Sequence, residues 1–396
     1  MNQQSLSARI KSETEKIFSN IVEFRRHLHM NPELSFEEKE TSAFISSVLT
    51  EHKIPHDTGV GGFGIVAKLE GSGSGPNILL RADMDALPIH EKNEVDYRSK
   101  KDGIMHACGH DAHTSSLLGS VIVLNRLKKQ WDGNIIAIFQ PAEEKIPGGA
   151  KAMIDDGLLE KYQPEMAFGQ HVHPPLDSGK VAFIEGPAMA SADELHLRVK
   201  GRGGHAALIR DCIDPVPVAA EIISNIQHLV SRKCDPFVPT VVSIGSVNTI
   251  GGSFNVIPSE VQMSGTIRTF NEEWRYELHK LLERLCSQIS AAHGAACEVN
   301  ILKGYPFLHN SPEITKKARN YAEVLLGKNN VVTMDQRMTA EDFAYFGQQL
   351  PSCFFRLGTR KKGKAVTPVH TPEFDLDENA LFTGSICLSW LAVNKY

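Results

Sequence analysis

The amino-acid sequence predicts an α/β protein with a mixed, mostly parallel β-sheet flanked by helices, into which a smaller ferredoxin-like α+β domain is inserted. Strand-like and helix-like segments alternate in the first half of the chain and again near its end. The strand-like segments are short apolar runs, which are typical of a sheet covered on both faces. The segment between them has the order β-α-β-β-α-β, the ferredoxin-like pattern. A chain of 396 residues exceeds what one hydrophobic core usually supports, so two domains are expected.

The chain begins with two predicted helices. In the first helix, apolar residues recur at helical spacing at Ile17, Ile21, Phe24 and Leu28. Ser35 and Glu38 have the spacing of a capping box, which predicts the start of the second helix. Strands then begin, because the spacing of apolar residues changes after this helix.

Three predicted strands each end in a pair of acids or imidazoles. The strands are "NILLRADMD", "NIIAIFQ" and "MAFGQ", and the pairs are Asp83 with Asp85, Glu143 with Glu144, and His171 with His173. Each pair alone is typical of an ordinary solvated loop end. Three pairs together indicate a site, because ligands bind at the carboxyl ends of strands in open α/β sheets.

The stretch "MHACGHDAH" places three histidines and a cysteine within nine residues. His106, Cys108, His110 and His113 are all candidate metal ligands, and a thiolate beside imidazoles suits a divalent ion such as zinc. Hydrolysis at two such ions also requires a carboxylate that accepts a proton. Glu143 and Glu144 are adjacent after a strand and point in different directions, so one can bind metal while the other acts as a base.

Residues 191–302 form the predicted insertion, and residues 1–190 and 303–396 form the main domain. Within the insertion, Asp214 and Asn271 are the expected N-caps of its two helices. After it the α/β pattern resumes, with predicted helices near 312–326, 340–348 and 377–392.

One motif in the insertion nominally matches a dinucleotide-binding fingerprint. "GRGGHA", residues 201–206, follows a strand, and Glu221 lies about twenty residues further on. The glycines should open a helix directly, but Pro215 places the helix start later, so nicotinamide chemistry is only a minor alternative, which a cofactor-binding measurement would test. The glycines instead predict a close backbone approach, with His205 exposed on a loop.

The composition excludes several classes of protein. The net charge is −5, and no basic run of five residues appears, so we expect no nucleic-acid partner. No apolar run approaches the roughly 18 residues of a membrane span, and the N-terminus lacks the apolar core of a signal peptide. Seven cysteines without a CxxC pair argue against a disulfide framework. We therefore expect a cytoplasmic protein that binds a small molecule and no membrane.

Eight motifs in order resemble the dinuclear metal amidohydrolases, the family of aminoacylases, hippurate hydrolases and auxin-conjugate hydrolases. The motifs are "RADMDALPI", "MHACGHDAH", "QPAEE", "GQHVHP", "GGHAA", "NVIP", "GTIRTF" and "HTPEFDLDE". The resemblance implies two divalent ions per chain, whether zinc, manganese, cobalt or nickel, and Glu143 as the general base. The metal ligands that it implies are Cys108, His110, Glu144, His171 and His370.

The resemblance also implies roles for residues outside the ligand set. Asp85 would not bind metal itself but would orient a metal ligand. His205 would reach the scissile carbonyl, Asn255 and Arg268 would position the substrate, and the insertion would act as a lid and form a homodimer. The chain departs from the family at Ile209 and Arg210, where relatives usually carry a Pro-His pair, which leaves the substrate preference open.

The expected reaction is metal-dependent hydrolysis of N-acyl L-amino acids, such as acetyl or benzoyl derivatives. The same site could instead cleave dipeptides, deacetylate an N-acetylated biosynthetic intermediate, or hydrolyse a carbamoyl amino acid. A different class of protein, one that binds acyl amino acids around a structural zinc without cleaving them, is the non-enzymatic alternative.

Overall fold

The computed structural model describes residues 3–396, which divide into two compact units. Unit 1 comprises the chain through Ala188 together with His309–Gln336 and Asp342–Tyr396. Unit 2 comprises Met189–Leu308 and the short segment Arg337–Glu341. The predicted insertion at 191–302 lies wholly inside unit 2, and no sequence pattern indicated that the short segment Arg337–Glu341 also belongs to it.

Ten α-helices and sixteen β-strands are described here in chain order. The helices are α1 (Gln3–Met30), α2 (Lys39–Glu51), α3 (His110–Arg126), α4 (Gly149–Asp155), α5 (Leu158–Tyr162), α6 (Pro215–Lys233), α7 (Glu272–Ala292), α8 (Pro312–Leu326), α9 (Ala344–Gly347) and α10 (Asn379–Ala392). The strands are β1 (His56–Val60), β2 (Gly64–Glu70), β3 (Asn77–Asp83), β4 (Asn134–Gln140), β5 (Met166–Asp177), β6 (Val181–Phe183), β7 (Gly186–Met189), β8 (Asp193–Lys200), β9 (Gly204–His205), β10 (Thr240–Ile250), β11 (Val256–Ile257), β12 (Glu260–Thr269), β13 (Ala296–Lys303), β14 (Leu308–Asn310), β15 (Val331–Thr333) and β16 (Ser352–Arg360).

Unit 1 contains an eight-stranded mixed sheet in the order β1-β2-β4-β3-β5-β16-β6-β15. The central strands β4, β3, β5 and β16 are parallel to one another. Antiparallel pairing is confined to β1 with β2, β2 with β4, and β16 with β6. The predicted mixed sheet with a parallel centre is confirmed, and the carboxyl ends of β3, β4 and β5 lie at one edge.

Helix α3 is the central helix of unit 1. It packs against α1, α10 and the strands β3 and β5, and every residue from His110 to Leu124 is buried. Full burial of apolar side chains such as Leu117 and Val121 contributes about 1.5 to 3 kcal/mol each. The N-terminus of α3, which begins with His110, is therefore anchored in the core.

Unit 2 has the predicted ferredoxin-like arrangement. Its four strands lie in the order β10-β12-β8-β13, and all neighbours are antiparallel. Helices α6 and α7 pack against one face, where apolar residues alternate with exposed ones along β8. Both predicted N-caps are confirmed, because Asp214 accepts a hydrogen bond from the amide of Val216, and Asn271 accepts one from the amide of Trp274.

Two predictions about local structure are wrong. Ser35 and Glu38 do not form a capping box: α2 begins at Lys39, and Glu38 makes no side-chain cap. Both side chains instead contact residues far away in the chain. The predicted helix at 340–348 is reduced to the four residues of α9.

The fold shows no feature of a helical membrane span. Across residues 3–396, no helix combines the length and the apolar character that crossing a bilayer requires.

Candidate metal centre

The carboxyl ends of three neighbouring parallel strands deliver polar residues to one edge of the unit 1 sheet. Asp83 ends β3, and Glu143 and Glu144 follow β4. His171 lies within β5, because this strand continues to Asp177 and is longer than predicted. The N-terminus of α3 adds His110, and the loop before α10 adds His370. The sheet edge therefore collects residues that are distant in sequence.

Cys108 is the common member of two groups of candidate ligands. Its Sγ lies 3.3 Å from Nε2 of His171 and 3.3 Å from Nε2 of His370. Cys108, His110 and His171 offer ligand atoms within 4.8 Å of one another, and so do Cys108, Glu144 and His370. The five side chains that the resemblance implied as ligands are thus brought together around one sulfur.

The carboxylate of Glu144 lies close to one histidine from each group. Its Oε1 lies 3.3 Å from Nε2 of His370 and 3.9 Å from Nε2 of His110. Glu143, which is buried, lies within ligand distance of His110 and Glu144. The adjacent acids therefore both face this cluster.

Hydrogen bonds orient the imidazoles so that Nε2 faces the cluster. His171 donates from Nδ1 to the carbonyl of Val172 at 2.8 Å, which leaves the lone pair of Nε2 toward Cys108. Nδ1 of His110 lies 3.1 Å from Oδ1 of Asp85, and its Nε2 points toward Glu144. A carboxylate or carbonyl behind the distal nitrogen is the usual way in which proteins fix a metal-binding histidine.

Burial and nearby carboxylates shift the pKa values of Cys108 and His110. Burial, followed by the nearby acids Glu144 and Glu143, raises the pKa of Cys108 well above its ordinary value. Burial alone would lower the pKa of His110, but Asp83, Asp85 and Glu144 raise it to about 10. A thiolate is unfavourable here without a positive charge beside it.

Two buried polar atoms provide a test of whether these residues fit a metal ion. Nε2 of His110 and Oε1 of Glu144 have no hydrogen-bond partner among the described residues. Buried atoms of this kind are normally satisfied. An imidazole nitrogen, a carboxylate oxygen and a thiolate are the donors that zinc-type ions accept. The donor set therefore fits a divalent metal.

His113 and His106 have different surroundings from the ligand candidates. His113 has its Nδ1 2.6 Å from Asp83, and its Nε2 accepts the amide proton of Val172 at 2.9 Å. Neither nitrogen of His113 is open to a metal. His106 is buried, and burial lowers its pKa to about 4, so it is neutral. Both histidines accordingly support the cluster by packing or hydrogen bonding.

Two non-glycine residues near the cluster have left-handed backbone conformations. Ala142, directly before Glu143, has φ of 51°, and His370 has φ of 62°. Such conformations cost about 1 kcal/mol or more for residues with a Cβ and persist only where the surroundings impose them. One strained residue therefore directly precedes Glu143 and Glu144, and the other is itself a candidate ligand.

Sequence reasoning identified Asp83 and Asp85 but missed the residues that hold these two carboxylates in place. Asp85 receives hydrogen bonds from Ser35 and from the amide of Glu144. Asp83 is paired with Arg81 at 2.6 Å, and Arg81 also donates to Asp342 at 2.7 Å. No sequence signal could have revealed these contacts, because their partners are up to 261 residues apart.

The remaining predicted site residues lie in unit 2. His205 in β9 is exposed, and its Nδ1 accepts the amide proton of Ala207, which places the ring proton on Nε2. The backbone carbonyl of Asn255 accepts the amide proton of Ala206. Among the described residues, only Thr266 receives a hydrogen bond from Arg268. His205 can therefore donate from Nε2, and Arg268 can bind an anion.

The glycine-rich motif before His205 has the predicted role of close backbone approach. A Cβ at Gly201 would lie 2.1 Å from the carbonyl oxygen of Ile213, and one at Gly203 would lie 2.6 Å from that of Ile257. The following helix α6 begins only at Pro215 and contains Glu221. The glycines therefore do not open a helix, and the motif lacks the structural context of a dinucleotide fingerprint.

The family profile described as "Peptidase family M20/M25/M40" matches residues 79–391. A Bacillus subtilis N-acetylcysteine deacetylase is 39% identical over 376 residues, which cover 95% of this chain and 96% of the relative. A Geobacillus stearothermophilus N-acyl-L-amino acid amidohydrolase is 39% identical over 301 residues, which cover 75% and 79% of the two chains.

A solved structure also resembles the whole chain. It is a Bacillus subtilis protein described as a dinuclear metal binding peptidase from the M20 family. It is 36% identical to this chain, covers 96% of it and 98% of its own length, and superposes with a TM-score of 0.81.

Proposed function

Because this chain belongs to Peptidase family M20/M25/M40, we propose that it hydrolyses the amide bond of N-acyl L-amino acids, giving a carboxylic acid and a free amino acid. The observation that carries the proposal is the cluster of thiol, imidazole and carboxylate groups at the sheet edge, with Glu143 beside it. Two relatives whose names specify acylated amino acids as substrates support this substrate class.

The cofactors that we propose are two divalent ions, held by Cys108, His110, Glu144, His171 and His370. The support for two ions is the presence of two ligand groups that share Cys108, together with a structural relative described as dinuclear. When bound, such ions supply Lewis-acid polarisation of a carbonyl and lower the pKa of water toward neutrality. Zinc, manganese, cobalt and nickel all accept this donor set.

Glu143 is the proposed general base. It takes a proton from the attacking water and returns it to the leaving nitrogen, so that the amine departs as a neutral group. Its position beside His110 and Glu144, and its burial, support this role because a desolvated carboxylate is a stronger base than one in water.

The further substrate contacts that we propose are residues of unit 2. His205 donates from Nε2 to the carbonyl oxygen as negative charge develops on it, which is the role of an oxyanion-stabilising donor. Arg268 binds the carboxylate of the amino-acid part, and Asn255 helps to position the substrate. A homodimer through unit 2 remains a prediction, which sedimentation analysis tests.

A peptidase is the second candidate function. It is favoured by the structural relative described as a peptidase, because a dipeptide presents the same amide bond and the same free carboxylate as an acyl amino acid. The two candidates differ only in the group on the nitrogen side of the scissile carbonyl.

Release of free amino acid from a substrate panel tests the proposal. Protein stripped of metal and resupplied with zinc, manganese or cobalt would be assayed on N-acetyl, N-benzoyl and indole-acetyl amino acids and on dipeptides. We expect metal-dependent release from the acylated substrates. Faster release from dipeptides would favour the peptidase, and no release with any metal would refute both.

Glu143→Gln tests the proposed base. We expect the variant to bind the same number of metal ions and to melt at the same temperature as the wild type, but to lose nearly all turnover, since general-base catalysis contributes typically about 10²- to 10⁴-fold. Retention of more than about a tenth of the wild-type rate would remove Glu143 from this role.

A further inference from the structure

Two carboxylates hold the backbone of the loop that carries the acid pair. Oε1 of Glu38 accepts the amide proton of Ala142 at 2.7 Å, and Oδ2 of Asp85 accepts the amide proton of Glu144 at 3.0 Å. The two anchored amides lie on either side of Glu143. The main chain is therefore held on both sides of Glu143, at the peptide group that precedes Ala142 and at the one that follows Glu143.

Glu38 is an unusual residue in an unusual place. Its side chain is 0% exposed, although it comes from the residue before the first turn of α2, a position that is normally solvated. Burial and the nearby Asp85 carboxylate raise its pKa to about 7. Burying a carboxyl group costs several kcal/mol unless a bond made there compensates. Among residues 3–396, the only backbone amide outside its own segment that donates to the Glu38 carboxyl is that of Ala142.

The anchored loop is under strain at the residue that Glu38 contacts. Ala142 has φ of 51°, and its carbonyl accepts the amide proton of Gly149 at 2.9 Å. Both polar groups of this residue are therefore held by partners, one on each side. A residue in this conformation relaxes when a holding contact is removed, and the side chain that moves with it is that of Glu143.

We propose that Glu38 is a positioning residue for Glu143, which it aims by holding the amide of Ala142 in the left-handed conformation. The inference rests on the proposed function, in which Glu143 transfers the proton. Asp85 holds the amide of Glu144 on the other side of Glu143, but it also contacts His110. Within the described part of the chain, Glu38 makes no hydrogen bond or ion pair with a candidate metal ligand, so its effect on catalysis passes through Glu143.

The loop that contributes Glu38 also contributes a matched control. Glu33 is buried as well, and its Oε2 accepts the amide proton of Thr41 at 2.8 Å. The bond has the same chemistry, a backbone amide donating to a carboxylate, but the donor lies in the first turn of α2. A change at Glu33 therefore perturbs the same segment without touching the loop of Glu143.

Three variants test the proposal by kinetics. Glu38→Leu removes the acceptor at similar volume, and we expect kcat to fall by about 10- to 100-fold, the cost of misplacing a catalytic group by about 1 Å. KM and the number of metal ions per chain should not change. Glu38→Gln keeps an oxygen that can accept the Ala142 amide proton. Oε2 of Glu38 has no hydrogen-bond partner among the described residues, so an amide nitrogen in its place displaces no donor. For this variant we expect kcat within about threefold of wild type. Glu33→Leu should leave kcat unchanged, whatever its effect on the melting temperature.

Hydrogen exchange provides a readout that does not depend on turnover. In metal-free protein, peptides covering residues 140–148 should exchange faster in Glu38→Leu than in the wild type, and no faster in Glu33→Leu. Equal kcat in Glu38→Leu and wild type would overturn the proposal, as would loss of metal from Glu38→Leu or an equal fall of kcat in Glu33→Leu. A wild-type protein inactive on every substrate would overturn the proposed function instead, and unchanged exchange in Glu38→Leu would still overturn this inference.

Discussion

Replacing Asp193 by asparagine should destabilise unit 2 strongly, and the effect should disappear in acid. Asp193 is 1% exposed and lies at the start of β8. It accepts hydrogen bonds from Nε of Arg275 at 2.9 Å, from Nε2 of His279 at 2.7 Å, and from the amide of Gly304 at 3.1 Å. The substitution removes the buried carboxylate that pairs with the guanidinium of Arg275, which then keeps only the partly exposed Glu272 as an ion-pair partner among the described residues.

The magnitude follows from the pKa of the carboxyl group. Burial alone would raise the pKa of Asp193, but the hydrogen bonds from Arg275 and His279 lower it to about 2. Against about 3.9 in an unfolded chain, this difference corresponds to about 2.5 kcal/mol of stability. Breaking a buried ion pair by removing one partner typically costs about 3 to 5 kcal/mol. We therefore expect Asp193→Asn to lower the unfolding free energy of unit 2 by about 2.5 to 5 kcal/mol at pH 7.

The sign of the pH dependence follows from the direction of the shift. Because the folded-state pKa is depressed, the stabilisation is present above the unfolded pKa of about 3.9 and is lost as the pH falls toward 2. The stability difference between wild type and Asp193→Asn should therefore be large and constant above about pH 5 and should shrink below about pH 4.

Hydrogen exchange of the α7 amides, measured against denaturant at several pH values, reports the unfolding free energy of unit 2. Asn271→Ala provides a reference, since loss of the α7 N-cap costs about 1 kcal/mol at every pH. A difference for Asp193→Asn below about 1 kcal/mol at pH 7, or one that does not shrink in acid, would refute the electrostatic reasoning.

Two further predictions concern the candidate site. Asp85→Ala should lower metal affinity by about 10- to 100-fold, because it removes the oxygen behind Nδ1 of His110; titration of metal-free protein by calorimetry measures this, and unchanged affinity would contradict the orientation argument. Arg268→Leu should raise KM for acyl amino acids at least tenfold and should change KM much less for the corresponding amino-acid amides, which lack the carboxylate. Equal effects on both substrates would show that Arg268 does not bind that group.

Features that depend on neighbouring residues could be predicted from the sequence. The N-caps Asp214 and Asn271 act on amides two and three residues away, and apolar runs such as "NIIAIFQ" mark buried strands by themselves. The convergence of Asp83, Glu143 and His171 also followed from a general rule, since parallel strands share one carboxyl edge.

Features that depend on distant partners could not be predicted. Ser35 and Glu38 have the local pattern of a capping box, but Asp85 and Ala142 compete for the same side chains from 50 and 104 positions away. Local spacing contains no information about such competitors. The protonation states of Cys108 and His110 were hidden for the same reason, because burial and distant carboxylates determine them.

The proposed metal ligands come from places far apart along the chain, from Cys108 in the loop before α3 to His370 in the loop before α10. During synthesis the ribosome releases the sheet edge long before it releases His370. A chain that ends before His370 lacks this proposed ligand and also lacks α10, which packs against α3 in the core. The proposed ligand set would therefore be complete only late in synthesis, and a prematurely terminated chain would lack both this ligand and the helix that completes the core.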